Sequence, residues 1–153
     1  MDLKLLVISD THRCISNAVS LIEEHNPDII IHLGDVAEDC DDLRYTYPTK
    51  RIICVLGNND YFVKNYPNEV VCKINEKMFF MCHGHKYNVK YGLEALMKRA
   101  RDVKADVVLY GHTHQSLCKE DGGILVMNPG SVRSYGIIEF DNNGNMSGYI
   151  GEV

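Results

Sequence analysis

Short polar signatures that directly follow apolar, β-favouring runs constrain this chain more than any other feature. Leu3–Ile8 leads into Asp10-Thr11-His12, Ile29–Leu33 into Gly34-Asp35, and Arg51–Leu56 into Gly57-Asn58-Asn59-Asp60. Further on, Lys77–Cys82 leads into His83-Gly84-His85 and Val107–Tyr110 into Gly111-His112-Thr113-His114. Each run is the length of a strand, and in open α/β sheets the residues just past the carboxyl ends of strands gather along one edge. Side chains two apart in extended backbone turn to the same side, so both members of each Asp/His or His/His pair can face one point. Carboxylate, amide and imidazole groups converging in this way are a ligand set for divalent cations.

The rest of the chain fits a compact α/β protein. Ser16–His25 carries Val19 and Ile22 at helical spacing, with Ser16 as a candidate N-cap and Pro27 as a stop. With an acidic helical stretch near Asp41–Tyr45, the first third reads β-α-β-α-β, the pattern of a parallel sheet. Glu69–Ile74 and Lys77–Cys82 then flank Asn75-Glu76 as an antiparallel hairpin. Leu93, Leu96, Met97, Ala100 and Val103 mark an amphipathic helix whose other face holds Lys98, Arg99, Arg101 and Lys104. After the Val107–Tyr110 strand, two hairpins are expected: Ser116–Lys119 with Ile124–Met127, and Gly136–Phe140 with Asn145–Ile150. The expected architecture is two packed mixed sheets with helices outside, in one domain spanning residues 1–153.

Charge and cysteine usage narrow the function classes. The formal net charge is −5 and no dense Lys/Arg run occurs, which argues against an extended nucleic-acid surface. An anionic substrate would have to be drawn by bound cations. The cysteines, Cys14, Cys40, Cys54, Cys72, Cys82 and Cys118, form no C-x-x-C pair. That reads as a reduced, cytoplasmic chain rather than a disulfide scaffold or a thiolate zinc site. The chain starts on a strand-length run too short for a leader or a membrane span, so no membrane association is expected.

Taken singly, each signature is weak: Asp10, Asp35 and Asn58 could each be turn residues, and an isolated His83 could be structural. His32, inside an apolar strand, reads as a core histidine, and His25 as a favoured cation at a helix C-terminus. Asp60 reads as a residue that orients a neighbour or closes a turn. Ser131 and Arg133 shape a loop or touch phosphate, with the loop role favoured. Tyr61, Phe62 and Tyr66 line either a substrate edge or a subunit contact.

Taken together and in order, D-x-H, G-D, G-N-x-D, H-G-H and G-H-x-H, closing with Asn128-Pro129-Gly130-Ser131, resemble the calcineurin-like metallophosphoesterases. The resemblance runs from Leu3 to about Phe140 and is nearest to their small single-domain bacterial and archaeal phosphodiesterases, relatives of the small retromer subunit. It implies an α/β fold, a four-layer α/β/β/α sandwich, and a dinuclear metal site. Carried over motif by motif, Asp10, His12, Asp35 and His114 would hold one ion, and Asp35, Asn58, His83 and His112 the other, with Asp35 bridging. Mn²⁺ is the first expectation, with Ni²⁺, Fe²⁺, Co²⁺, Zn²⁺ or Mg²⁺ as alternatives. The implied activity is hydrolysis of a small-molecule phosphodiester by a metal-bridged hydroxide, in a homo-oligomer (a dimer or tetramer). A phosphomonoesterase, a nuclease or a non-catalytic binding scaffold would be built on the same site. Many relatives have His where this chain has Asn59; an amide can donate a hydrogen bond to a phosphoryl oxygen but cannot deliver a proton. His85, beside His83, is then either the replacement acid or a supporting imidazole.

Overall fold

The computed structural model describes residues 2–12, 15–60 and 65–153. The first sheet has the order β10-β9-β1-β2-β3. Its members are β1 (Leu3–Ile8), β2 (Ile29–His32), β3 (Arg51–Cys54), β9 (Ser134–Phe140) and β10 (Met146–Glu152). β1, β2 and β3 run parallel, as the β-α-β-α-β pattern requires, while β9 and β10 add on antiparallel. The second sheet has the order β4-β5-β6-β8-β7. It comprises β4 (Glu69–Ile74), β5 (Lys77–Cys82), β6 (Val107–Leu109), β7 (Leu117–Asp121) and β8 (Ile124–Asn128). At the β4–β5 turn, Asn75 and Glu76 both take positive φ, the geometry of the two-residue turn that matches strand twist.

Alternation along the strands sorts the apolar residues into layers. Leu5, Val7, Ile29 and Ile31 face Phe79, Met81, Val107, Leu109 and Met127 between the sheets. Leu6, Ile8, Ile30 and Ile52 face outward and are covered by Ala18, Leu21 and Ile22 of α1 (Ile15–His25) and Leu43 of α2 (Glu38–Thr46). On the other side, α3 (Glu94–Asp102) lays Leu96, Met97 and Ala100 over Phe80, Val108 and Val126. The result is the α/β/β/α sandwich.

Two local expectations shift. Ser16 lies inside the first turn of α1 and does not cap it, because Ile15 joins the apolar stripe packed on the sheet and draws the helix start back. Tyr66 is buried beside Cys40 and Cys54 and hydrogen-bonds to Asp41, so it lines no exposed edge. Tyr61 and Phe62 lie outside the described residues. Among the described residues, no helix is long and apolar enough to cross a membrane.

Candidate metal centre

At the carboxyl ends of β1 and β2 the chain leaves the sheet through turns that only tight local bonding sustains. Asp10 and Asp35 have φ of 53° and 62°, a left-handed conformation that costs a non-glycine residue about 1 kcal/mol or more. The strand pairing continues one step past the sheet to hold them: Leu33 N–H donates to Ile8 O and Asp10 N–H to Gly34 O. Asp60 then clamps the next two loops together. Its carboxylate accepts from the backbone N–H groups of Gly57 at 2.7 Å, Ala37 at 2.9 Å and Asp35 at 3.0 Å. The approach is so close that a Cβ on Gly57 would stand 2.1 Å from Asp35 Oδ1, so only glycine fits.

The imidazole of His83, wholly buried after β5, is the hub. Its Nδ1 lies 2.7 Å from the Leu33 carbonyl oxygen, which can only accept, so Nδ1 carries a proton and Nε2 is the nitrogen left to offer a lone pair to an ion. Around that Nε2 stand Asn58 Oδ1 at 3.1 Å, His112 Nδ1 at 3.2 Å, Asp35 Oδ2 at 3.5 Å and Asp10 Oδ1 at 3.8 Å. His114 Nε2 approaches Asp10 Oδ1 from the other side at 3.2 Å, and the His12 ring packs edgewise on His114 with centroids 5.3 Å apart.

This arrangement fits cations on chemical grounds. Asp10 Oδ1 is buried without a hydrogen-bond partner, although its other oxygen accepts from Ser9 Oγ at 2.7 Å and His112 N–H at 3.3 Å. Lone pairs facing lone pairs repel unless something positive lies between them. Separations of this size are also those of neighbouring donors around one ion at about 2.1 Å. Burial and the nearby His83 and Lys90 hold His112 below the usual histidine range, in the neutral form that ligates. Burial works to raise the Asp35 pKa, but His83 and the Asn59 hydrogen bonds outweigh it and keep the carboxylate ionised.

The structure thus brings Asp10, Asp35, Asn58, His83, His112 and His114 into one connected cluster, with His114 joined through Asp10 and His12 through His114. Asn59 stands at the rim, donating its backbone N–H and side-chain Nδ2 to the two oxygens of Asp35, each at 3.0 Å. His85 does not reach the hub: its ring centroid lies 5.5 Å from that of His83, and its Nδ1 is buried without a partner. Burial and the two neighbouring imidazoles lower its pKa. Ser131 donates to the Asp10 backbone oxygen at 3.2 Å and so shapes the loop, while Arg133 is exposed.

Sequence reasoning gave no role to Asn128, which donates to Gly111 O and Thr113 Oγ1 and sets the loop carrying His112 and His114. A buried amide ending an apolar strand is the signal that could have found it. The Leu33 carbonyl has no such signal, since a backbone group carries no residue code.

Comparison with known proteins agrees with the geometry. A protein of Methanocaldococcus jannaschii named as a phosphodiesterase is 30% identical over 149 residues, covering 87% of this chain and 86% of that protein. A predicted phosphoesterase of Streptococcus pneumoniae TIGR4 superposes with a TM-score of 0.79 at 22% identity, with 99% of each chain covered. Vacuolar protein sorting 29 of Cryptosporidium parvum shares the fold with a TM-score of 0.79 at 20% identity, over 99% of this chain and 98% of that one. The model of the calcineurin-like phosphoesterase superfamily domain matches residues 3–142, and this chain belongs to that family.

Proposed function

We propose that this protein is a dinuclear metal-dependent phosphodiesterase. The observation that carries the reading is the ring of potential ligand atoms around His83 Nε2 together with the orphaned Asp10 Oδ1. Asp10, His12, Asp35 and His114 would hold one divalent ion, and Asp35, Asn58, His83 and His112 the second. Bound there, the pair supplies Lewis acidity to a phosphoryl group and a hydroxide nucleophile near neutral pH. The preference for diesters rests on the relative named as a phosphodiesterase and on a charge balance: two dications against two carboxylates and a hydroxide leave about one positive charge for a monoanion.

The chain's own residues divide the remaining work. Asp60 fixes the Asp35 and Asn58 loops. Asn59, at the exposed rim, can turn its amide from Asp35 to a phosphoryl oxygen. His85, beside the hub, orients a substrate oxygen while neutral, or takes up a proton during the reaction and returns it to the leaving group. Free thiols on Cys40, Cys54 and Cys82 suit a reducing cytoplasm, and assembly into a dimer or tetramer is read by size-exclusion chromatography with light scattering.

The test is hydrolysis of an activated phosphodiester by purified protein loaded with Mn²⁺, Ni²⁺ or Mg²⁺. Wild type turns over, and Asp35→Asn loses at least about a hundredfold, since even supporting residues around a metal cost ten- to a hundredfold. Equal, negligible rates for both proteins with every ion sink the enzyme and favour a binding scaffold. A faster rate on the matching monoester would correct the substrate class.

A further inference from the structure

Beneath the Asp35 loop, on the outer face of the first sheet, lies a second cluster of different chemistry. His32 ends β2 and Cys54 ends β3, and the parallel register sets them side by side. Cys40 descends on them from α2, and the imidazole nitrogen and both sulfurs lie within 4.8 Å of one another. All three residues are buried, at 0%, 3% and 0% exposure for His32, Cys54 and Cys40. They come from two adjacent strands and the helix covering them, which are among the more rigid places to build a site.

Hydrogen bonding orients the imidazole. The Thr11 hydroxyl donates to an Asp39 oxygen at 2.5 Å, so its oxygen accepts from His32 Nε2–H at 2.9 Å. That leaves the lone pair on Nδ1, which accepts from the Gly34 N–H at 3.1 Å and would be taken over by an ion, releasing that N–H. A carboxylate relayed to the far nitrogen is the outer support that metal-binding histidines carry. The Cys40 hydrogen bond, aided by His32 and opposed by burial, draws the Cys54 thiol below the usual thiol range, while burial and Cys54 push Cys40 above it.

We propose that His32, Cys40 and Cys54 form a separate site for a thiophilic cation of the Zn²⁺ class. Two thiolates and a dication bury no net charge, and sulfur donors select softer ions than the oxygen-rich centre above them. The site would fill as the chain folds, with thiol protons released. It would brace the point where β2 and β3 give way to the loops bearing Asp35 and Asn58. It shares no ligand with that centre and stands or falls independently of the phosphodiesterase reading.

The test uses whole protein expressed under reducing conditions with Co²⁺ as the added transition metal, so that the ion is present during folding. Sulfur-to-cobalt charge-transfer absorption reports thiolate ligation, which a centre of Asp, Asn and His cannot produce. Wild type is expected to show the band; Cys40→Ser and Cys54→Ser lose it, whereas Asp35→Asn and Cys118→Ser keep it. Should the serine variants fail to fold, X-ray absorption on the wild-type cobalt protein decides by the presence of sulfur in the first coordination shell. A folded wild type with no sulfur–cobalt signal overturns the proposal. So does a band that survives both substitutions, or a Cys40–Cys54 disulfide in place of bound metal.

Discussion

Two histidines, His32 and His83, sit in neighbouring buried clusters that differ in how the bonding closes: both ring nitrogens of His32 are hydrogen-bonded to uncharged donors or acceptors, whereas His83 has only its Nδ1 tied to a backbone carbonyl. Around His32, Gly34 N–H, Thr11, Asp39 and the thiols supply donors and acceptors in complementary pairs. Around His83, the free nitrogen meets the oxygens of Asn58 and Asp35, and Asp10 Oδ1 makes no hydrogen bond. The first cluster is satisfied as protein, and a cation there would replace thiol protons and the Gly34 hydrogen bond to His32. The second is satisfied only with positive charge inside it. Cation binding should therefore change the stability of the molecule mainly through the His83 centre.

The largest effect expected in that comparison is at Asp60, which holds the acceptor-rich centre together without facing its interior. Asp60→Ala strands three backbone donors. At 1–3 kcal/mol for each unsatisfied buried group, the loss is about 3 kcal/mol or more, read as a lower urea midpoint. If the variant unfolds within a few tenths of a kcal/mol of wild type, the loops are held by something other than this carboxylate.

Next in size is the effect of the ions themselves. Adding Mn²⁺ at about a hundred times its dissociation constant should stabilise wild type by roughly 2.7 kcal/mol, seen as a rise in melting temperature. Asp10→Asn should lose most of that rise and melt no lower than wild type without metal, because an amide can donate where the carboxylate could not. A full metal-induced rise in Asp10→Asn would break the contrast drawn between the two clusters.

The sequence made much of this legible for one physical reason: strand and ligand signals are local. Runs such as Leu3–Ile8 and Lys77–Cys82 match their strands end to end, and the Asn75-Glu76 turn reads directly as a hairpin. Asp10, Asp35, Asn58, His83, His112 and His114 each announced themselves by standing just past a strand. Sheet order was hidden, because pairing β6 with both β5 and β8 depends on contacts far apart in the chain. The meeting of His32, Cys40 and Cys54 was hidden for the same reason, since no short spacing joins them. Asp60 could be read as a residue orienting its neighbours, but not as the group tying together the loops after β2 and β3.

The smallest effect comes from Thr11, whose hydroxyl links His32 to Asp39. Thr11→Val keeps the shape but removes the oxygen that accepts from His32 and donates to Asp39. With a buried imidazole N–H left short of an acceptor, the expected loss is about 1–2 kcal/mol. The informative reading is where that loss falls. If the relay serves only the His32 cluster, Thr11→Val lowers the unfolding midpoint while the Mn²⁺-induced rise in melting temperature stays at its wild-type size. A diminished rise would mean that strain passes from the cluster along Thr11 to Asp10 and His12, and that the two clusters are one coupled unit.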